Sequence, residues 1–136
     1  MKKGLLIVSV LVLLSSCDLT IIEIPFDNRD NFVGRFEAEE YSETYDQLSF
    51  FDMRIVRDSD DYGNAIYIRN FYAQGIEVYA EVNGRRITIP RQAIDGYVIE
   101  GTGRLENGEI YLTYAVDDTF SANNRTDFCN TVLFRR

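Results

Sequence analysis

The chain predicts an all-β fold: an antiparallel meander of eight short strands closed as a small barrel. Three observations carry this expectation. From Phe32 onward Ile, Val, Tyr, Phe and Thr dominate, with apolar and polar residues alternating at period two. Turn-forming Gly, Asn and Asp recur at short intervals between the alternating runs. No stretch carries a convincing helical period. Successive strands joined by short loops make a meander, and eight of them can close on one another and remove the exposed edges that invite aggregation. A β-sandwich is the alternative arrangement of the same strands.

The expected strands cover residues 33–41, 48–57, 65–72, 76–82, 85–90, 97–105, 109–116 and 127–135. Residues 37–47 have some helical propensity, but Tyr41-Ser42-Glu43-Thr44-Tyr45 favours a strand running into a loop. The fourth strand alternates cleanly, with Ile76, Val78, Ala80 and Val82 on one face and Glu77, Tyr79 and Glu81 on the other. The seventh repeats the pattern with Ile110, Leu112, Tyr114 and Val116. In the eighth, hydrophobicity points Phe128, Asn130, Val132 and Phe134 inward. Asn83-Gly84 and Asn107-Gly108 are expected at the centres of type I′ turns, whose two central residues need positive φ. Asp95-Gly96 and Tyr62-Gly63-Asn64 mark two further reversals. Gly101 and Gly103 share a face with Ile99 and Leu105, which suits a sharply coiled strand; room for a ligand is the other reading. The proposed inward set of Phe36, Phe51, Met53, Ile55, Ile68, Ile87, Leu112 and Tyr114, with Phe128 and Phe134, is bulky and predicts a filled interior.

Composition narrows the chemistry. The chain has 136 residues, enough for one domain, and no His and no Trp. Its 14 basic residues include only two lysines, Lys2 and Lys3, so beyond the N-terminus 12 arginines face 22 carboxylates and the net charge is near −10. Such a chain is a poor match for nucleic acid, which needs a basic surface. Without His, no Ser-His or Cys-His nucleophile pair and no His-containing zinc site can be built. No cofactor is expected. Cys129, within Asp127-Phe128-Cys129-Asn130, reads as a buried free thiol, with an intermolecular disulfide as the other option.

The N-terminus has its own logic. Met1-Lys2-Lys3 is positive, Leu5 to Leu14 is uncharged, and small residues then lead to Cys17. The apolar run is ten residues, well short of the roughly 20 that a helix needs to cross a bilayer. Leu14-Ser15-Ser16-Cys17 resembles the lipobox of bacterial lipoproteins. That resemblance implies cleavage before Cys17, acylation of Cys17 and a membrane as partner through the attached lipid. The expected organisation is a signal peptide over 1–16, a lipidated N-terminus and extended tether over 17–31, and the barrel over 32–136. Ile21, Ile22, Ile24 and Phe26 in the tether leave open that it docks on the barrel. The expected location is the cell envelope, at the outer membrane, on its periplasmic or surface face; Asp18 directs some bacterial lipoproteins to the inner membrane instead. An ordinary secreted protein with a chance Cys and an uncleaved anchor are the competing readings.

Within the barrel, Gly34-Arg35-Phe36 resembles the Gly-x-Trp signature of lipocalins with Phe in place of Trp, and Arg135 or Arg136 matches the Arg that caps that ring. Ile87 to Gln92, Gly101-Thr102-Gly103 and Ile110 to Tyr114 resemble the small calycin-like lipoproteins common in Bacteroidota. The resemblance implies a lipocalin-like fold and an envelope location. It does not extend to a ligand. Thr126-Asp127-Phe128 resembles a second lipocalin motif but lies too near the C-terminus to count.

Three candidate sites follow from residue types. Asp58, Asp60 and Asp61 sit on one loop and supply the oxygens that calcium takes. Tyr62 then occupies a ligand position, and Arg69 stands where a bidentate Glu belongs, so the loop fails as an EF-hand. Asp and Asn as turn formers explain it as well. Glu37, Glu39, Glu40 and Glu43, with Glu77, Glu81 and Glu100, contain the residue types of a glycosidase but read as an outward polar face. Tyr79 and Tyr111, with Arg69 and Arg104, make a possible surface for a ligand, glycan or partner. The leading functional expectation is a non-enzymatic envelope lipoprotein that works through surface or loop contacts with an envelope protein. The alternatives are a module holding a small apolar ligand, an enzyme inhibitor or a glycan-binding protein.

Overall fold

The computed structural model describes residues 27–123 and 125–136. The leader, Cys17 and residues 18–26 lie outside the described residues. The strands are β1 (Gly34–Ser42), β2 (Gln47–Arg57), β3 (Ala65–Phe71), β4 (Ile76–Asn83), β5 (Arg86–Ile94), β6 (Tyr97–Glu106), β7 (Glu109–Asp118) and β8 (Thr126–Arg135). Each pairs antiparallel with the next, and β8 returns to β1 to close an eight-stranded barrel. Closure rather than two stacked sheets follows from the β1–β8 ladder, which runs from Phe36↔Arg135 to Ser42↔Cys129.

The hairpins show how burial sets register. Asn107 (φ 52°) and Gly108 (φ 79°) are both left-handed, as a type I′ turn requires. The Asn83-Gly84 hairpin differs from its expected form. Asn83 pairs with Arg86, so the two-residue loop is Gly84-Arg85, with Gly84 alone left-handed (φ 60°). Glycine first is the type II′ pattern. The reason lies one step inward: Val82 and Ile87 pair and are both buried, and a one-residue slip would turn each to the wrong face. β5 also runs past Pro90 to Ile94, beyond its expected end. Pro90 cannot donate to the ladder, and the register shifts between Ile89 and Gln92. There the Gln92 side chain replaces missing strand bonds, accepting from Tyr79 N (2.9 Å) and donating to Tyr79 O (2.8 Å).

The inward face of β8 is the reverse of the expected one. Asp127, Cys129, Thr131 and Leu133 are buried, whereas Phe128 and Phe134 are 54% and 39% exposed. Cys129 and Phe128 are neighbours, so period two allows only one of them inside. The expectation of a buried Cys129 and that of an inward Phe128 were mutually exclusive, and the thiol is the one inside.

Odd-numbered strands run from one barrel end to the other in the same sense, which gives the molecule two distinct ends. The closed end carries a 3₁₀ turn, Asn28–Asn31. These residues, expected as the last part of an extended tether, instead pack on the barrel: Arg29 and Phe32 are fully buried. Asp27 caps the turn, accepting from Arg29 N at 3.0 Å. Arg135 fastens this segment from β8. Its guanidinium lies 4.8 Å from the centre of the Phe36 ring and donates to Val33 O (2.7 Å) and Asn31 O (2.9 Å). Arg136 turns away to Glu37 and Asp52.

The core is a continuous apolar filling that includes Ile55, Ile66, Ile68, Phe71, Ile99 and Leu112, each essentially without solvent exposure. β6 reaches it through Gly101. A Cβ there would stand 2.5 Å from Thr113 O and 2.5 Å from Tyr114 Cβ, closer than real Cβ atoms approach. The missing side chain lets β6 coil tightly against β7. We expect Gly101→Ala to lower stability by about 1–3 kcal/mol through overpacking, measured by urea unfolding. A neutral outcome would mean that β6 and β7 have room to separate.

Candidate functional site at the open end of the barrel

The interior changes character toward the open end, where the loops 43–46, 72–75, 95–96 and 119–125 lie. On β1 the inward parity passes from Phe36 and Ala38 to Glu40 and Ser42, and on β8 from Leu133 to Thr131, Cys129 and Asp127. Because β1 and β8 are the seam of the barrel, these residues meet. Glu40 is 6% exposed and Asp127 is 4% exposed. A buried carboxylate is tolerable only with partners, and both have them. Glu40 Oε2 accepts from Tyr114 Oη and from Thr131 Oγ1 (3.2 Å). Asp127 accepts from Ser42 Oγ on one oxygen and from Tyr72 Oη on the other.

Tyr72 reaches this position from a strained backbone. It and Ala73 are both left-handed (φ 56° and 54°) in the β3–β4 loop, a conformation that costs free energy for a residue with a side chain. A bulge at Asn70 leads into the loop. Asn70 holds it by donating to Asp52 O (2.6 Å) and accepting from Gly75 N (3.0 Å). β2 and β3 pair only from Arg54↔Arg69 to Arg57↔Ile66. Beyond that they diverge, and a recess of about 400 Å³ opens, lined by Glu40, Ser42, Gln47, Ser49, Tyr72 and Asp127 among others.

The electrostatics follow from burial. Desolvation pushes Glu40 from its ordinary value up to about 7, the nearby Asp127 charge adds to this, and the Thr131 hydrogen bond opposes it. Burial, then the Asp127 hydrogen bond, raises the Tyr72 phenol. Burial, then the Glu40 and Asp127 charges, raises the Cys129 thiol, so Cys129 is a poor source of thiolate. Among the described residues, no buried side-chain oxygen or nitrogen lacks a partner.

Glu40 therefore departs from the outward polar face expected of the β1 glutamates. Its signal was present, since period two places it with Phe36 and Ala38. Asp127 lies on the less apolar parity of β8, opposite Phe128 and Phe134, so hydrophobic alternation does not point to it. The tyrosine–arginine surface is divided. Arg104 stacks over Tyr111 at 4.7 Å on β6 and β7. Arg69 instead pairs with Glu77 (2.7 Å) on β3 and β4, where Tyr79 donates to Glu81 (2.9 Å). β5 stands between the two pairs. Asp58, Asp60 and Asp61 do not converge. Asp58 and Asp60 accept from local backbone at Ser59 N and Tyr62 N, and among the described residues no three metal-ligating side chains come together. Comparison of the chain with protein-family models and with curated proteins returned no match.

Proposed function

We propose that this chain is a lipid-anchored, non-enzymatic protein of the bacterial cell envelope, a calycin-like barrel that contacts an envelope partner through its acidic open end. One observation carries the reading: the barrel is filled with apolar side chains up to a layer where Glu40 and Asp127 face a polar recess. Among the described residues the interior is packed with apolar side chains, which speaks against the small-ligand alternative. Both carboxylates are satisfied by internal hydroxyls, which supports a contact surface rather than an acid–base pair. The loops 43–46 and 95–96 add Glu43, Asp46 and Asp95 to this end, so the partner's contacting face is cationic or rich in hydrogen-bond donors.

Lipocalin-like architecture is supported by Arg135 over Phe36, with the 3₁₀ turn held beneath it. Anchorage at Cys17 is supported by the lipobox and by geometry. The described chain begins at the closed end with Asp27, ten residues after Cys17, a tether that spans at most about 35 Å. The lipid then holds the closed end to the membrane and leaves the open end turned away from it.

The test has two parts. Cys17→Ala abolishes fatty-acid labelling and membrane fractionation; retention at the membrane without label overturns the anchorage. A photo-crosslinking residue in place of Gln47, at the recess, captures one discrete envelope component in the host, and the same group in place of Thr88 on the outer wall does not. Capture at Thr88 alone, or an apolar molecule retained in native mass spectrometry, overturns the contact reading.

A further inference from the structure

A row of arginines crosses the outer wall on the far side of the strands from the recess. Register places Arg35 on β1 directly opposite Arg54 on β2, and Arg54 directly opposite Arg69 on β3. All three side chains point outward and are exposed. Neighbouring strands lie about 4.8 Å apart, so the three arginines spring from backbone positions within roughly 10 Å of one another. Like charges directly opposite one another destabilise a sheet, and nothing in the fold requires this pattern, because strand polar faces accept any polar residue.

Neutralisation is incomplete. Arg69 pairs with Glu77 on its far side, and Arg136 occupies Asp52 (3.3 Å), the one carboxylate lining the groove. Among the described residues Arg35 and Arg54 have no ion-pair partner within 4.0 Å, although carboxylates outnumber basic residues 22 to 14 in the chain. The arginines are not left on a convex surface either. Arg35, Arg54, Arg69 and Arg136 line one groove of about 680 Å³ together with Asn70.

We propose that this groove binds a discrete ligand carrying two or more phosphate groups, seated across Arg35 and Arg54 and reached by Arg69 at one end. Guanidinium forks match phosphate oxygens in pairs, and a ligand of this charge removes the repulsion built into the row. The row climbs the side wall, from near the closed end on β1 toward the open end on β3. That geometry suits a molecule lying in the groove rather than a flat plane of lipid headgroups.

The probe is inorganic pyrophosphate, titrated into the full chain in neutral detergent at low salt and followed through the arginine Nε–H resonances. Saturable shifts are expected at Arg35 and Arg54, with weaker binding as salt rises. The double variant Arg35→Gln, Arg54→Gln loses about tenfold or more in affinity. It also melts at or above the wild-type temperature, because it removes like charge rather than packing. The variant Arg86→Gln, Arg104→Gln, which alters a second opposed arginine pair, keeps wild-type affinity. Absence of saturation, an equal loss in both double variants, or binding to phosphatidylglycerol vesicles without any response to pyrophosphate overturns the proposal.

Discussion

Replacing Arg29 by Ala is expected to cost about 3 kcal/mol of stability, among the largest effects of any single substitution outside the apolar core. Arg29 is 1% exposed and its side chain donates to three groups at the closed end. It clamps Asp27 with Nε at 3.0 Å and with Nη2 at 2.7 Å, and donates to Asp60 O (2.7 Å) and Ala65 O (3.4 Å). This one side chain thus ties the 3₁₀ turn to the β2–β3 loop and to the first residue of β3. Its hydrogen bonds hold the Asp27 carboxyl at about 2, below the ordinary carboxylate range. Removing it leaves the Asp60 carbonyl without its donor, Ala65 O with only Asp58 N at 3.1 Å, and the carboxylate with Arg57 at 3.2 Å and the backbone N–H of residue 29. The loss is at the low end for a broken buried pair because Asp27 keeps 20% of its exposure and so some access to water. Denaturant unfolding measures the loss, and hydrogen exchange locates it: amides of the 3₁₀ turn and of Ala65 lose protection before those of β6 and β7. A change below about 0.5 kcal/mol, the range of ordinary surface substitutions, would show that Phe32 alone closes this end.

Glu40→Gln is expected to act in the opposite direction, and only above a defined pH. Burial raises the folded-state pKa of Glu40 from its ordinary value near 4.5 to about 7. Between these values the unfolded chain has released the proton and the folded chain still holds it. Stability therefore falls as pH rises through this window, and the penalty is complete above about pH 7. A shift of this size corresponds to about 3 kcal/mol. Gln keeps the acceptor for Tyr114 and Thr131 and carries no charge, so the variant is more stable than wild type by roughly that amount at pH 8. The two converge near pH 4.5 and below. Unfolding free energies at a series of pH values check this. A variant less stable than wild type by the same margin at every pH would mean that Glu40 is needed for its hydrogen bonds and that its burial carries no charge penalty.

The strands were legible because their signal is local. Alternation in β4 and β7 names the buried residues directly, and Asn107-Gly108 specifies a type I′ turn through backbone sterics that no distant residue alters. The Gly84-Arg85 turn was less legible, because the sequence of the turn tolerates two registers and the burial of Val82 against Ile87 chooses between them. The 3₁₀ turn was hidden for a related reason. Its four residues are polar, and Asp27 pairs with Arg29 locally, but the distant Asp60 and Ala65 carbonyls that complete its burial are not visible in the segment.

The open-end site was the least legible part. Hydrophobic alternation assumes a dry interior and a wet exterior, and near the mouth of a barrel that assumption weakens. There Phe128 stays outside, while Asp127 and Thr131 go in to meet Ser42, Tyr72 and Glu40. Thr131 and Glu40 are separated by 91 residues in sequence. No window along the chain displays that proximity, although the expected burial of Cys129 already fixed the parity of β8.

By itself, then, the order of residues determined the strands, most of their inward faces and the meander, since these rest on period-two patterning and turn sterics within a few residues. Its composition also restricted the side chains on offer, with no His and with Lys only at positions 2 and 3. Tertiary closure decided the rest. Joining β8 to β1 set which face of β8 is buried and gathered two carboxylates and four hydroxyls into one polar layer, and the β1–β2 and β2–β3 registers aligned Arg35, Arg54 and Arg69 across three strands. These features exist only because strand register brings remote residues within hydrogen-bonding or Coulombic range, and desolvation there gives their charges the weight they lack in an open chain.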